Sequence, residues 1–328
     1  MRVYFWGTRG SLPASITAET VRAKIIRALE AAKARAFKDR ADIERFVDTE
    51  LPFTVSRTFG SNTACIEIKD GDEYIICDAG TGLRDFGNHH MKLITQGLRR
   101  AGGSTFHIFM SHFHWDHIQG FPFFTPAYTP GNQVKIYGYH EKFEEFFTKQ
   151  QSHPYFPVPL AAMNADIQFI TLDPGKTVRI SGFDVFGIEQ QHPGVSYGFR
   201  FEKEGKSIVY SSDAEHKTNF NSPARDENYP FLGFFQDADL LIFDAQYDWN
   251  EAVQSKEDWG HSCYVAAVEL AVKAKVKRLC LFHNEPTYTD EKLEALLEDT
   301  RNYLNIYNDR KPHPLIIDLA YDGQEIEI

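Results

Sequence analysis

Ten residues, Ser111 to Gly120, read S-H-F-H-W-D-H-I-Q-G and place three histidines and an aspartate within six positions. Imidazoles and carboxylates at that density are the ligand types of divalent metal ions. Before them, Thr105 to Met110 (T-F-H-I-F-M) alternates as a strand entering a core does, so a strand delivers these residues into a loop. Side chains on a strand repeat every second residue, which puts His112 and His114 on one side, where both imidazoles can close on one cation. Asp116 and His117 lie just beyond, where the chain turns, within reach of a second cation. A lone H-x-H is equally well explained by a solvated loop. Four metal-competent residues in this order are not.

One loop does not complete a metal site, and the remaining ligands must come from the ends of other elements. His192 follows F-G-I-E-Q-Q, Asp213 follows I-V-Y-S-S and His283 follows L-C-L-F. Each stands where an apolar strand stops, the place from which a buried scaffold presents a rigid side chain. Strands are expected at Arg2 to Trp6, Ala64 to Lys69, Glu73 to Cys77, Ile167 to Thr171, Phe183 to Gln190, Tyr197 to Glu202, Ser207 to Tyr210, Leu240 to Asp244 and Leu279 to Phe282. Pro314 to Ile328 resembles a terminal hairpin turning at Asp322 and Gly323. Helices are expected after Gly82 up to Arg100, at Tyr264 to Lys275 and at Asp290 to Ile306. Two successive sets of strands with helices imply two sheets packed face to face with helices outside.

Several stretches carry a second meaning. Residues 16–51 read as a helical hairpin inserted between two strands. Thr17 caps a helix with Val21, Ile25 and Leu29 on one face, and Ile43, Phe46 and Val47 mark a second piece. The simplest expectation is a surface cap that buries its own apolar stripe, with a lid or a dimer contact as the sharper alternatives. D-A-G-T-G at Asp78 to Gly82 calls for a tight turn with backbone close to the metal loop. Arg9, in G-T-R-G-S-L-P, is an anion contact or a solvated loop charge. The aromatic and proline-rich runs Phe121 to Tyr128 and Tyr155 to Leu160 wall a pocket or form packed loop. No Gly, Ser or Pro linker divides the chain, so residues 1–328 are expected to form a single domain.

The formal net charge of −11 argues against broad nonspecific binding to nucleic acid. Four widely spaced cysteines, Cys65, Cys77, Cys263 and Cys280, form no C-x-x-C pair and read as buried small hydrophobes. No run of eighteen apolar residues occurs, and M-R-V-Y-F-W-G-T-R-G lacks the features of a secretory signal, so a cytoplasmic protein without membrane contact is expected.

The set H-F-H-W-D-H, then His192, Asp213 and His283, resembles the metallo-β-lactamase superfamily of hydrolases across most of the chain. That resemblance implies an α/β fold, a four-layer αββα sandwich with a dinuclear site along one sheet edge, here with a helical insertion near the N-terminus. It implies that His112, His114 and His192 bind one metal, that Asp116, His117 and His283 bind the other, and that Asp213 bridges. An aspartate bridge looks like the phosphodiesterase and nuclease branch. G-T-R-G-S-L-P with a later G-S-N-T, A-D-L-L-I-F-D-A at Ala238 to Ala245 and G-H-S-C at Gly260 to Cys263 look like motifs of ribonuclease Z and the cyclic-phosphate phosphodiesterases. By that likeness Asp244 orients His261, which acts on the phosphate, while Asp116 orients or deprotonates the attacking water.

The implied activity is hydrolysis of a small or cyclic phosphodiester, such as a cyclic nucleotide, by a hydroxide activated at two divalent ions. Zinc suits the ligands best, and manganese or iron also fit. A tRNA 3′-processing endonuclease is the alternative, disfavoured by the acidic charge and by the lack of a basic arm between His117 and His192. A thioester or lactone hydrolase, and a noncatalytic phosphate-binding module, complete the alternatives. Relatives commonly pair as dimers, so the resemblance also implies a homodimer.

Overall fold

Apolar residues fill consecutive positions in L-L-I-F at Leu240 to Phe243 and L-C-L-F at Leu279 to Phe282, the mark of strands buried on both faces. In the computed structural model, which describes residues 1–217, 228–308 and 312–328, each run divides its side chains between two apolar layers. Leu240, Ile242, Cys280 and Phe282 enter one cluster with Val3, Phe5, Ile66, Phe199 and Phe201. Leu241, Phe243, Leu279 and Leu281 enter another with Ala267, Leu270, Leu293 and Leu296 from helices. The first layer lies between two sheets and the second under helices.

Fourteen strands are present among the described residues. The first sheet holds β1 (Arg2–Gly7), β2 (Cys65–Lys69), β3 (Tyr74–Cys77), β4 (Thr105–Phe109), β5 (Gln133–Gly138) and β6 (Asp166–Thr171). The second holds β7 (Val178–Ile180), β8 (Phe183–Gln190), β9 (Ser196–Lys203), β10 (Lys206–Ser211), β11 (Leu240–Asp244), β12 (Arg278–Phe282) and β13 (Ile316–Leu319). β14 (Glu325–Glu327) returns to the first sheet, giving the orders β14-β1-β2-β3-β4-β5-β6 and β13-β12-β11-β10-β9-β8-β7. Three further helices, α1 (Ala18–Ala32), α2 (Arg40–Thr49) and α3 (Phe53–Ser56), lie between β1 and β2. Helix α4 (Gly82–Thr95) covers the outer face of the first sheet, burying Leu83 and Phe86 against Phe106 and Phe124. Helices α5 (Tyr264–Lys273) and α6 (Asp290–Asn308) cover the second. The result is the αββα sandwich that the strand pattern implied.

The pairing directions put the site at one rim of each sheet. β1 and β3 both run antiparallel to β2, and β4 is parallel to β3, so the carboxyl ends of β1, β3 and β4 share an edge. β8 and β10 both run antiparallel to β9, and β11 and β12 run parallel to β10, so the same holds for β8, β10, β11 and β12. His112, His192, Asp213, Asp244 and His283 sit at or just after those ends.

Three local readings change, and the aromatic and proline-rich runs divide between the two alternatives. The expected terminal hairpin is not one: β13 pairs with β12 and β14 with β1, so the turn at Asp322 and Gly323 carries the chain from one sheet to the other. The stripe of α1 is not buried, since Val21, Ile25 and Leu29 are 43%, 54% and 66% exposed. Lys24 faces inward instead, donating to the carbonyl oxygens of Thr54 and Arg57 and pairing with Asp290 at 2.7 Å. Arg9 is neither an anion contact nor a solvated charge. It is buried, and its guanidinium donates to the carbonyls of Gly60, Glu285 and Tyr288 at 2.9–3.0 Å. Phe121 and Phe124 are packed loop at 0% exposure, whereas Tyr155 stands 75% exposed beside a cavity.

The candidate metal centre

Three of the strand ends close with a left-handed backbone at a residue other than glycine: Asp78 after β3, Asp213 after β10 and His283 after β12, at φ of 62°, 53° and 64°. Asp and His tolerate this region better than most side chains, and its clustering at one rim marks a built site. The turn predicted at Asp78 to Gly82 does meet the motif loop. A Cβ on Gly80 would lie 2.3 Å from the Asp116 carbonyl oxygen, and one on Gly120 would lie 1.9 Å from that of Gly80. Ala79 N–H donates to His117 O at 2.8 Å, and Gly120 N–H donates to Ala79 O at 2.9 Å, so glycine lets two backbones touch where the loop is held.

The structure brings all nine sequence-predicted residues together. Ligand-type atoms of His112, His114, His192 and Asp213 lie within 4.8 Å of one another, as do those of Asp116, His117, Asp213 and His283. Asp213, Asp244, His261 and His283 form a third such group. Asp213 belongs to both principal sets. Its Oδ1 is 3.1 Å from His117 Nε2 and 3.3 Å from His283 Nε2, and its Oδ2 is 3.5 Å from His112 Nε2 and 3.8 Å from His192 Nε2.

The hydrogen bonds around the rings fix their tautomers. His192 Nδ1 donates to Gly260 O (2.8 Å), His117 Nδ1 to Asp78 Oδ2 (2.7 Å) and His283 Nδ1 to Gln246 Oε1 (3.0 Å). Ser111 Oγ donates to Asp78 Oδ2 at 2.7 Å, so it accepts from His112 Nδ1 at 3.1 Å. Each of these four rings, when neutral, therefore carries a bare lone pair on Nε2; against burial, the carboxylates of Asp213, Asp116 and Asp78 pull His117 well above its ordinary value, toward the positive charge that a cation would supply there. Those lone pairs point at other acceptors. His112 Nε2 and His192 Nε2 lie 2.9 and 3.0 Å from His114 Nδ1, and His117 Nε2 lies 3.2 Å from His283 Nε2. At least one of the three nitrogens around His114 has no proton to meet its neighbour, and carboxylates flank both clusters. A donor set with this surplus of lone pairs is satisfied by cations, one in each cluster.

Asp116 Oδ2 accepts from Ser11 N–H at 2.7 Å and lies 3.1 Å from His283 Nε2. Burial works to raise the pKa of Asp116 and of Asp213, but the surrounding imidazoles, His117 foremost, hold both carboxyls well below the usual range. Burial keeps His112 well below its ordinary value, neutral and ready to ligate. His261 stacks on His283 with centroids 5.1 Å apart, and its Nδ1 donates to Asp244 Oδ2 at 2.8 Å. Burial opposes a charge on that ring, and the buried Asp244 carboxylate overrides it, taking His261 up to about 9. Asp244 is itself fixed by the N–H groups of Ala214 and Gln246, each at 3.1 Å.

Sequence reasoning missed the supporting shell. Asp78 accepts four hydrogen bonds at full burial, from Ser111 N, Ser111 Oγ, Tyr210 OH and His117 Nδ1. Gln246 ties His283 to Glu285 and to Ser11. His216, three residues after Asp213, is buried beside Tyr229 and Phe243, away from the lone-pair clusters.

The sequence profile of the Beta-lactamase superfamily domain matches residues 73–284. Ribonuclease Z of Picrophilus torridus is 25% identical over 248 residues, 60% of this chain and 74% of that protein. Ribonuclease Z of Methanosarcina acetivorans is 25% identical over 300 residues, 74% of this chain and 88% of its own. Among solved structures, the metallo-β-lactamase fold protein YhfI from Bacillus subtilis superposes with a TM-score of 0.62 at 17% identity, covering 100% of this chain and 98% of that one. The short form of human tRNase Z gives 0.58 at 19% identity over 100% and 99% of the two chains. Unliganded yeast PDE1 gives 0.60 at 14% over 81% and 95%. The structural likenesses speak for the fold, and the profile match for descent. The chain belongs to the β-lactamase superfamily, in its branch of metal-dependent hydrolases acting on phosphodiester bonds.

Proposed function

We propose that the chain hydrolyses a small or cyclic phosphodiester, such as a cyclic nucleotide, at a centre that holds two divalent ions. The observation that carries this reading is the pair of lone-pair confrontations, around His114 and between His117 and His283, with one carboxylate oxygen of Asp213 turned to each. His112, His114 and His192 would hold one ion and Asp116, His117 and His283 the other, with Asp213 common to the two clusters. When bound, the ions, zinc by the nature of the donors, supply an activated water and neutralise charge on the phosphoryl oxygens.

The protein's own groups do the rest. Asp116, anchored through Oδ2 by Ser11 N–H, has Oδ1 left to orient a water and take its proton. His261, kept protonated by Asp244, faces the same space through Nε2 and can grip a phosphoryl oxygen or give its proton to the leaving alkoxide. Asp244 is a positioning residue that acts through His261.

The net charge of −11 supports a small substrate over a polyanion. A second reading, a tRNA 3′-processing endonuclease, is favoured by the ribonuclease Z relatives, whose alignments cover most of their own length. Zinc-supplied protein assayed with bis(p-nitrophenyl) phosphate, cyclic nucleotides and a precursor tRNA separates them. Turnover of the small diesters without tRNA cleavage is expected. Cleavage of the tRNA alone reverses the order, and no turnover of any of them by protein with two bound ions removes the hydrolase reading.

A further inference from the structure

The segment that follows Asp213 does more than carry that ligand. Glu215, two residues on, is buried, and its carboxylate accepts through Oε1 from Asp258 N–H and through Oε2 from Gly260 N–H, each at 3.0 Å. Its own backbone N–H donates to Gln191 O at 2.9 Å, beside His192. The two N–H groups come from a loop in which Asp258 and Gly260 both take the left-handed backbone, at φ of 65° and 86°. For an aspartate that conformation costs free energy, so contacts outside the loop must hold it. Two N–H groups that converge from positions two residues apart make a seat for an anion, and Glu215 fills it. Lys217 adds an ion pair to Asp258 at 2.7 Å, but that pair is exposed and worth little in water.

The clamped loop serves both the metal ligands and the proton donor. Gly260 O accepts from His192 Nδ1 at 2.8 Å, the bond that leaves Nε2 of that ring for a metal ion. The approach is so close that a Cβ on Gly260 would lie 2.4 Å from His192 Nδ1. The next residue is His261, whose ring meets that of His192 with centroids 5.0 Å apart. Beyond it, Ser262 Oγ donates to Ala214 O at 2.5 Å and accepts from His216 N–H at 2.8 Å. The backbone on either side of His261 is therefore tied to residues 214–216, and on the upstream side Glu215 is the tie. Its carboxylate satisfies both loop N–H groups at once. A neutral amide has one oxygen and must set its NH2 against the other N–H, leaving a buried donor unpaired.

We propose that Glu215 is a positioning residue that sets His192 and His261 together. By clamping residues 258–260 it fixes the carbonyl that orients one ligand of the first ion and the backbone that carries the proton donor. The roles of the two histidines rest on the phosphodiesterase reading, whereas the clamp itself can be read without metal or turnover.

Glu215→Gln tests it. In metal-free protein carrying 15N-labelled histidine, the Nδ1 proton of His192, identified by its loss in His192→Gln, is expected to exchange with water about tenfold faster than in the unaltered chain. Zinc titration is expected to show one ion weakened about tenfold and the other unchanged, because His117 and His283 take their orienting bonds from Asp78 and Gln246. At saturating zinc, kcat for bis(p-nitrophenyl) phosphate is expected to fall about tenfold or more. Leu296→Ala, in the core under the helices, is the control for lost stability alone: it should lower Tm at least as much and leave all three readouts unchanged well below that Tm. Glu215→Asp keeps the charge but is a methylene short of spanning both N–H groups, and it serves, with the same losses expected, if the amide variant does not fold. An unchanged His192 proton, or losses no greater than those of Leu296→Ala, overturns the proposal. If the unaltered protein binds no zinc, the metal reading fails, and the exchange of the His192 proton alone decides for or against the clamp.

Discussion

Asp78→Asn changes one oxygen to a nitrogen in a residue that touches no substrate, and its effect follows from the hydrogen-bond count. Oδ2 accepts from Ser111 Oγ, Tyr210 OH and His117 Nδ1, whereas Oδ1 accepts only from Ser111 N. The amide will therefore keep oxygen on the crowded side and set its NH2 against the Ser111 N–H. One buried donor loses its acceptor, at a cost of about 1–3 kcal/mol in folding free energy. The bond to His117 also loses its charge assistance, and loss of such support behind a ligand histidine typically weakens metal affinity about 10- to 100-fold. Because Asp78 bonds to His117 and not to His114 or His192, that loss falls on one ion of the two. Zinc titration against a chelating indicator, with denaturant unfolding alongside, reads both numbers. Two ions weakened equally, or neither weakened in a folded variant, would refute the assignment of His117 to a separate half of the centre.

His261→Ala should lower kcat by about 10²- to 10⁴-fold with zinc content unchanged, as expected for a proton donor that is not a ligand; loss of zinc would make it a ligand instead. Asp322, largely buried, has its carboxyl raised from 3.8 to about 6, first by burial, against the pull of the Asn62 and Ser61 N–H groups. The folded state therefore holds that proton more tightly than the unfolded chain, and this group's contribution falls as pH rises from about 4 to 6, by about 3 kcal/mol at 1.36 kcal/mol per pH unit. Asp322→Asn can keep its oxygen on the Ser61 and Asn62 N–H groups and turn its amide to Thr8 Oγ1, so it should flatten that slope and raise Tm at pH 8. A lower Tm at pH 8 in the variant would contradict this. Val21→Ser with Ile25→Ser should move the unfolding free energy by no more than about 1 kcal/mol in total, because both side chains are already exposed; a loss of several kcal/mol, read by urea denaturation, would mean the stripe is covered in solution.

What could be seen in the sequence was what local pattern dictates. Runs such as L-L-I-F and L-C-L-F could only be two-faced strands, and polar residues at their ends were natural site candidates. Which strand lies beside which is not a local property. Ile316 to Leu319 and Glu325 to Glu327 flank a good turn, yet register with β12 and β1 is decided by partners some 40 and 320 positions away. The six residues of β5, Q-V-K-I-Y-G, alternate but sit after a proline-rich run and went unread. In α1 the periodicity revealed a stripe and not the direction it faces; Lys24 reverses it by meeting Asp290 and two free carbonyls. Asp78 looked like any strand-end aspartate, because its role depends on Tyr210 and His117 arriving from elsewhere.

Crystals of zinc-supplied protein, measured on either side of the zinc absorption edge, test the metal pair directly. Two anomalous peaks about 3.5–4 Å apart are expected, one among His112, His114 and His192 and the other among Asp116, His117 and His283, with Asp213 between them. A single peak at these residues, or none, contradicts the two-ion centre.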